Sequence, residues 1–222
     1  MLSVRIIFDL DGTIIDSAKS LSIVANKILE NLGRSFVDEE KYKTFIGDGL
    51  RKQVERLLIW SGGIPSEGLD HYYKKFLEIY NEDPTSNLVP FPHVLDCIAL
   101  LSKRNAKLAI CTQKLTKPSI KILKKLNIYN YFDQFAFGDT LRVRKPDPRM
   151  INCIIQNDQP ETSTVYVGDS EVDSETAKNA KLRFVLFSKG YRKSSVEEIK
   201  PDFSFSNYED LPRILERSFG EF

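Results

Sequence analysis

Near its start the chain carries a run of branched and aromatic residues, Val4-Arg5-Ile6-Ile7-Phe8, that stops at Asp9-Leu10-Asp11-Gly12-Thr13. A run of this kind closed by Asp-Gly reads as a buried strand ending in a turn, with two carboxylates at the strand's C-terminal end. In open α/β sheets that edge is where ligands bind. Side chains on an extended segment alternate, so Asp9 and Asp11 fall on the same side and close together. Their repulsion is relieved by a divalent cation that favours hard oxygen ligands, Mg²⁺ or Mn²⁺, or by protonation of one member. Both remedies suit phosphoryl transfer, in which an ionised Asp attacks phosphorus and a protonated neighbour gives its proton to the leaving oxygen. The plain alternative is a solvated turn. A calcium loop fails on spacing, because the twelfth residue from Asp9 is Ser20, where a bidentate Glu is required.

After this stretch, Asp16 or Ser17 can cap a helix that carries Leu21, Val24, Ala25, Ile28, Leu29 and Leu32 at helical spacing and ends at Gly33. Asp38 opens a short helix reaching Phe45. Leu50, Val54, Leu57 and Leu58 mark another, and Leu69 to Tyr80 a further one with Tyr73, Phe76, Leu77 and Tyr80 on one core-facing stripe. The chain changes character past Pro84, where strands and helices alternate. Strands are expected at 107–111, 134–137, 164–167, 184–187 and 203–205, and helices at 94–101, 119–126, 148–156, 172–180 and 208–217. Alternation of this kind implies a parallel sheet with helices on both faces, to which the first strand also belongs. The expected fold is therefore α/β, a Rossmann-like doubly wound parallel sheet formed by residues 1–16 and 84–222, interrupted by an all-helical cap of residues 17–83.

Three other strand ends carry polar groups on the same edge. Thr112 and the turn Gln113-Lys114 follow the strand ending at Cys111, and a hydroxyl with turn N–H groups there can hold phosphate oxygens. Lys145 precedes Pro146-Asp147-Pro148, and its ammonium would offset carboxylate and phosphate charge. Gly168-Asp169-Ser170-Glu171-Val172-Asp173 again puts carboxylates at a strand end. Asp169 is placed to reach a metal, Asp173 to act through water or to orient Lys145, and Glu171 to cap the following helix.

Composition excludes other classes. Thirty-two basic against 31 acidic residues leave a net charge of +1, so no broad polyanion surface and no nucleic-acid partner is expected. Cys97, Cys111 and Cys153 are widely spaced and sit among apolar residues, as buried thiols in a reducing compartment do. His71 and His93 lack companions for a zinc site. No apolar run is long enough to span a membrane and the first residues enter a charged strand directly, so the expected setting is cytoplasmic, without a membrane partner.

An acid pair, a hydroxyl, a lysine and a second acid pair, in that order at four strand ends, resemble the haloacid dehalogenase-like hydrolase superfamily over essentially the whole chain. The resemblance implies Asp9 as the nucleophile that becomes an aspartyl-phosphate and Asp11 as acid for the leaving group, then base for water. It implies Mg²⁺ held by Asp9, Asp169 and the Asp11 carbonyl, a phosphoryl group held by Thr112, Gln113 and Lys145, and Asp173 behind them. Asp11 argues for a phosphatase or phosphomutase, since dehalogenase members lack it. Phe8 to Ser17, Ile46-Gly47-Asp48-Gly49-Leu50, Gly168 to Ala177 and Phe187 to Arg192 look most like the phosphoglycolate phosphatase group; Gln113 in place of the usual Asn and His93 in place of Gly depart from it. The expected reaction is Mg²⁺-dependent hydrolysis of a small phosphorylated metabolite. A phosphomutase, a pyrophosphatase and a non-enzymatic binder of phosphorylated metabolites are the alternatives. Substrate choice is expected in the cap turn at Gly47, Gly49 and Arg51, where the backbone N–H groups and the guanidinium could meet a substrate carboxylate.

Overall fold

The computed structural model describes residues 3–159 and 162–219; the outermost ends of the expected core, and residues 160–161, lie outside the described residues. The chain runs β1 (Val4–Phe8), β2 (Ile15–Asp16), α1 (Ala18–Asn31), α2 (Glu39–Lys43), α3 (Leu50–Trp60), α4 (Leu69–Glu82), β3 (Val89–Pro90), α5 (Val94–Lys103) and β4 (Lys107–Cys111). It continues through α6 (Thr116–Lys125), β5 (Phe132–Ala136), α7 (Arg149–Ile155), β6 (Ser163–Gly168), α8 (Glu171–Asn179), β7 (Arg183–Phe187), α9 (Val196–Ile199), β8 (Phe203–Phe205) and α10 (Leu211–Phe219).

Six strands form one sheet in the order β5-β4-β1-β6-β7-β8, every pairing parallel. Counted along the chain, this is the Rossmann order 3-2-1-4-5-6, with the reversal of direction between β1 and β6. All five residues of β1 are buried, as expected of a central strand covered on both faces. Alternation divides them: Val4, Ile6 and Phe8 join one apolar cluster with α5, α6 and α10, whereas Ile7 joins another with α7, α8 and α9. The doubly wound α/β architecture read from the sequence is the one observed.

Helices α1 to α4 share a separate apolar cluster that includes Leu21, Ile28, Tyr42, Leu57 and Phe76. They leave the sheet through a two-strand antiparallel neck, in which Ile15 pairs with Pro90 and Asp16 with Val89. No periodicity announces a ladder this short, and the sequence reading missed it. It missed the single-turn α9 as well, although Ser195 and Glu198 form a capping box.

Other differences are local. Helix α6 starts at Thr116 rather than 119, because Pro118 falls in the first turn, where no N–H is needed. Strand β5 begins two residues earlier than expected, and α10 three residues later. Tyr208 precedes α10 as a core anchor whose hydroxyl donates to the Thr13 carbonyl at 2.6 Å. On α4 the buried stripe is Tyr72, Phe76 and Tyr80, with Tyr73 and Leu77 half-buried beside it.

Behind the sheet, away from the acidic edge, Arg5 is buried and forked between two carboxylates. It donates to Asp158 at 2.5 and 2.8 Å and to Asp133 at 2.5 and 3.0 Å. Removing one partner of a buried pair strands the other's charge. Arg5→Ala is expected to cost about 3 kcal/mol in chemical denaturation, near the low end for such pairs because Asp133 is half exposed. The remote acidic edge should keep its geometry in the folded fraction.

Candidate active site

Strand ends at the switch point bring the acids together. Asp9 follows β1 and Asp169 follows β6, the two strands that flank the reversal, and Asp173 reaches them from the first turn of α8. Asp9, Asp169 and Asp173 are all buried, with one carboxylate oxygen from each within 4.8 Å of the others. Thr112 follows β4, with its N–H donating to the Ala136 carbonyl, and Lys145 comes from the loop before α7.

Lys145 is the centre of charge balance. Its Nζ stands 2.6 Å from Asp173 Oδ1, 3.0 Å from Asp9 Oδ1 and 3.0 Å from the Tyr166 hydroxyl. That hydroxyl lies 2.9 Å from both Asp173 Oδ1 and the Cys111 carbonyl, and donates to one at a time. Asp173 Oδ2 accepts from the Ser170 hydroxyl at 2.6 Å and from the N–H groups of Asp169 and Ser170. Asp173 is thus saturated by protein donors. Gly168 is required behind it, since a Cβ there would stand 2.5 Å from Asp173 Cγ.

The remaining acids are less well satisfied. Asp169 accepts one bond on each oxygen, from the Thr13 hydroxyl at 2.8 Å and the Tyr191 N–H at 2.7 Å. Asp9 Oδ1 is buried and, apart from the ion pair with Lys145, has no hydrogen-bond donor. Burial pushes the Asp9 carboxyl up to about 7, against the pull of Lys145. Burial, then the charges of Asp173 and Asp9, raise Asp169 well above the carboxylate range. Burial acts on Asp173 in the same sense, but Lys145 and its hydrogen bonds outweigh it and hold the group low. Lys145 is held firmly cationic by Asp173 and Asp9 in spite of its burial.

Asp9 Oδ1 without a hydrogen-bond donor and Asp169 with one bond on each oxygen, beside a saturated Asp173, form a donor set suited to a hard divalent cation. Asp9 and Asp169 line a cavity of about 80 Å³ between the sheet edge and the helical insert. Asp11, Thr112, Gln113 and Lys145 line it from the sheet side, and Gly47, Gly49 and Leu50 from the insert. Gln113 Nε2 donates to the Gly47 carbonyl at 3.0 Å, a direct tie between sheet and insert.

Arg51 is not brought to this cavity. Its guanidinium is exposed and binds Asp70 at 2.9 and 3.0 Å, on the insert's outer side. The reason is register: Gly49 is the N-cap of α3, which aims Leu50 and Gln53 inward and Arg51 outward. His93, at φ 63°, caps α5 and faces Glu209, away from the cavity.

Sequence reasoning gave no role to Lys114, which is buried with Nζ 3.0 and 3.2 Å from the two Asp11 oxygens and over the Tyr80 ring at 4.9 Å. Its position next to the Thr112 turn was the available signal. Tyr191 was missed as well. Its hydroxyl donates to Asp16 Oδ1 at 2.7 Å and accepts from the N–H groups of Ser17 and Ala18, so that α1 is capped through a distant loop. Ser17, a candidate cap by residue type, caps nothing with its side chain.

A cavity that sets a buried, under-bonded carboxylate beside a fixed ammonium, with a second acid at its mouth, can receive a tetrahedral oxyanion for attack by that carboxylate. This is the chemistry of phosphoryl-group hydrolases and transferases. A family model described as haloacid dehalogenase-like hydrolase matches residues 6–187, and the chain belongs to that family. It is 34% identical over 212 residues to a phosphoglycolate phosphatase of Rhodobacter capsulatus, covering 95% of this chain and 96% of that protein. It is 33% identical over 219 residues to a phosphoglycolate phosphatase of Aquifex aeolicus, covering 98% and 99%. A crystal structure described as a predicted phosphoglycolate phosphatase from Haemophilus somnus 129PT superposes with a TM-score of 0.89 at 25% identity, covering 96% of this chain and 98% of that one.

The raised Asp9 carboxyl has a measurable sign. Between 3.8 and about 7 the native state holds a proton that the unfolded chain has released, so stability from this group falls as pH rises through that window. Thermal unfolding in chelator is expected to show that fall, and Asp9→Asn, which cannot titrate, to make it shallower, with the raised Asp169 still contributing in the same sense. An unchanged slope in the variant would assign the dependence elsewhere.

Proposed function

We propose that the protein is a phosphoric monoester hydrolase that works through an aspartyl-phosphate on Asp9, with a small phosphorylated acid of the 2-phosphoglycolate type as substrate. The observation that carries this reading is the under-bonded, buried Asp9 carboxylate facing a cavity that Asp11 and Lys145 also line. The names of the related proteins support the substrate class.

In this mechanism an Asp9 oxygen attacks phosphorus while Lys145 and the Thr112 turn hold the phosphoryl oxygens. Asp11 gives a proton to the departing alkoxide, then takes one from the water that hydrolyses the acyl phosphate. Asp173 keeps Lys145 in place through the 2.6 Å bond and touches no substrate atom. A divalent cation, Mg²⁺ by the oxygen-only donor set, would be held by Asp9, Asp169 and the Asp11 carbonyl, and would supply charge neutralisation when bound. The three free thiols fit a cytoplasmic setting.

Asp9→Asn is expected to lower kcat on 2-phosphoglycolate by more than about a thousandfold while leaving the circular dichroism spectrum intact. Asp11→Asn should retain phosphoenzyme formation from p-nitrophenyl phosphate, whose leaving group needs no proton, and hydrolyse that phosphoenzyme slowly. Full turnover by the Asp9 variant would exclude the covalent route. Chelation should stop hydrolysis, and Asp169→Ala should steeply raise the Mg²⁺ concentration needed to restore it; activity indifferent to both would exclude the metal reading.

A further inference from the structure

Two polar groups at the cavity are not used by the phosphoryl chemistry. Lys114 is buried on the sheet side with its ammonium against Asp11, and Tyr80 is buried on α4 of the insert. Both line the cavity, and the Tyr80 hydroxyl, with only the Lys114 ammonium beside it, has no acceptor for its O–H although it is fully shielded from solvent. A buried hydroxyl left unpaired in a polar cavity is costly unless a ligand completes it. The ammonium of Lys114 has three N–H donors; two are directed at the Asp11 oxygens and the third lies beside the Tyr80 hydroxyl, which it shares with the cavity. The lysines lining the cavity are 114, 145 and 193: Lys145 is taken up by Asp9 and Asp173, and Lys193 is exposed.

We propose that Lys114 and Tyr80 form a carboxylate subsite, so that the enzyme selects phosphate esters whose carboxyl group lies next to the esterified carbon. The proposal rests on the phosphatase reading above and deepens it. Asp11 addresses the ester oxygen in that mechanism, and Lys114 stands one hydrogen bond further on, 3.0 Å from Asp11. In an α-phosphooxy acid the carboxyl carbon is two bonds from that same ester oxygen, so its carboxylate arrives beside the remaining Lys114 N–H and the Tyr80 O–H. Balance of the Asp11 charge alone would account for Lys114 but would leave the Tyr80 hydroxyl without a purpose. The subsite also takes the anchoring task that sequence reasoning gave to Arg51, which faces away from the cavity.

The two donors come from different layers of the molecule, which makes recognition dependent on the insert lying over the sheet. An ester without the carboxylate would leave the Tyr80 hydroxyl unpaired in the closed site. Sites that hydrogen-bond a substrate group reject analogues lacking it far more strongly than apolar pockets reject a missing methylene.

The test compares kcat/KM for 2-phosphoglycolate with that for ethyl phosphate, at saturating Mg²⁺, in wild type, Tyr80→Phe, Lys114→Met and Lys114→Arg. Wild type is expected to favour the carboxylate ester. The ratio should fall about tenfold in Tyr80→Phe, which loses one hydrogen bond to a charged group. It should fall about a hundredfold in Lys114→Met and recover in part in Lys114→Arg. Equal losses on both esters would overturn the subsite and return Lys114 to charge balance at Asp11. A wild type that hydrolyses both esters equally well would overturn the subsite and leave the phosphatase reading standing, whereas hydrolysis of neither would overturn both. Tyr80→Phe keeps the ring and its packing, so a folding failure in Lys114→Met would still leave the hydroxyl's part decided.

Discussion

Three buried carboxylates at one sheet edge are the constraint on which the rest of this molecule depends. Asp9, Asp169 and Asp173 lie close enough that each raises the cost of ionising the others, in a place where water cannot screen them. The surroundings answer with a fixed cation and a set of donors: Lys145 between Asp9 and Asp173, Tyr166 and Ser170 on Asp173, Thr13 and the Tyr191 N–H on Asp169. The glycines nearby serve the same end. Gly12 and Gly190 have no room for a Cβ because the Asp169 carboxylate already fills it.

The network is uneven, and the unevenness carries the chemistry. Asp173 is satisfied several times over and held low, which suits a group that keeps Lys145 in place. Asp9 has a cation beside it but no hydrogen-bond donor on Oδ1, which suits an oxygen that must be free to react or to meet a metal. Burial of an ion pair is weak evidence for stability, and here it is better read as the means of keeping one carboxylate poised.

The helical insert contributes in a different way. Its own apolar cluster makes it a separate packing unit, joined to the sheet through a two-residue neck and through polar contacts at the cavity. Gln113 reaches the Gly47 carbonyl, and Lys114 lies against the Tyr80 ring. Tyr191 adds an apolar contact against the insert's cluster, yet the two apolar cores stay separate. The cavity is lined by Asp9, Asp11, Thr112 and Lys145 from the sheet edge and by Gly47, Gly49, Leu50 and Tyr80 from the insert.

The alternation of elements, the parallel sheet and the four polar strand ends are legible along the chain because each is written in a local pattern: period two or 3.6, a turn residue, a carboxylate just past an apolar run. Asp9, Asp11, Thr112, Lys145, Asp169 and Asp173 were legible for that reason. Only the tertiary structure decided which cation faces the rest of the cavity. Arg51 lies next to a glycine turn, but the register of α3 sends it outward to Asp70, while Lys114 and Tyr80, 34 positions apart in the chain, meet at the cavity with Lys114 on Asp11. Likewise Tyr191 caps a helix that starts at Ala18, across a sequence separation no local pattern can bridge. Local patterns place a residue on an element; the packing of elements against one another decides which side chains share a space.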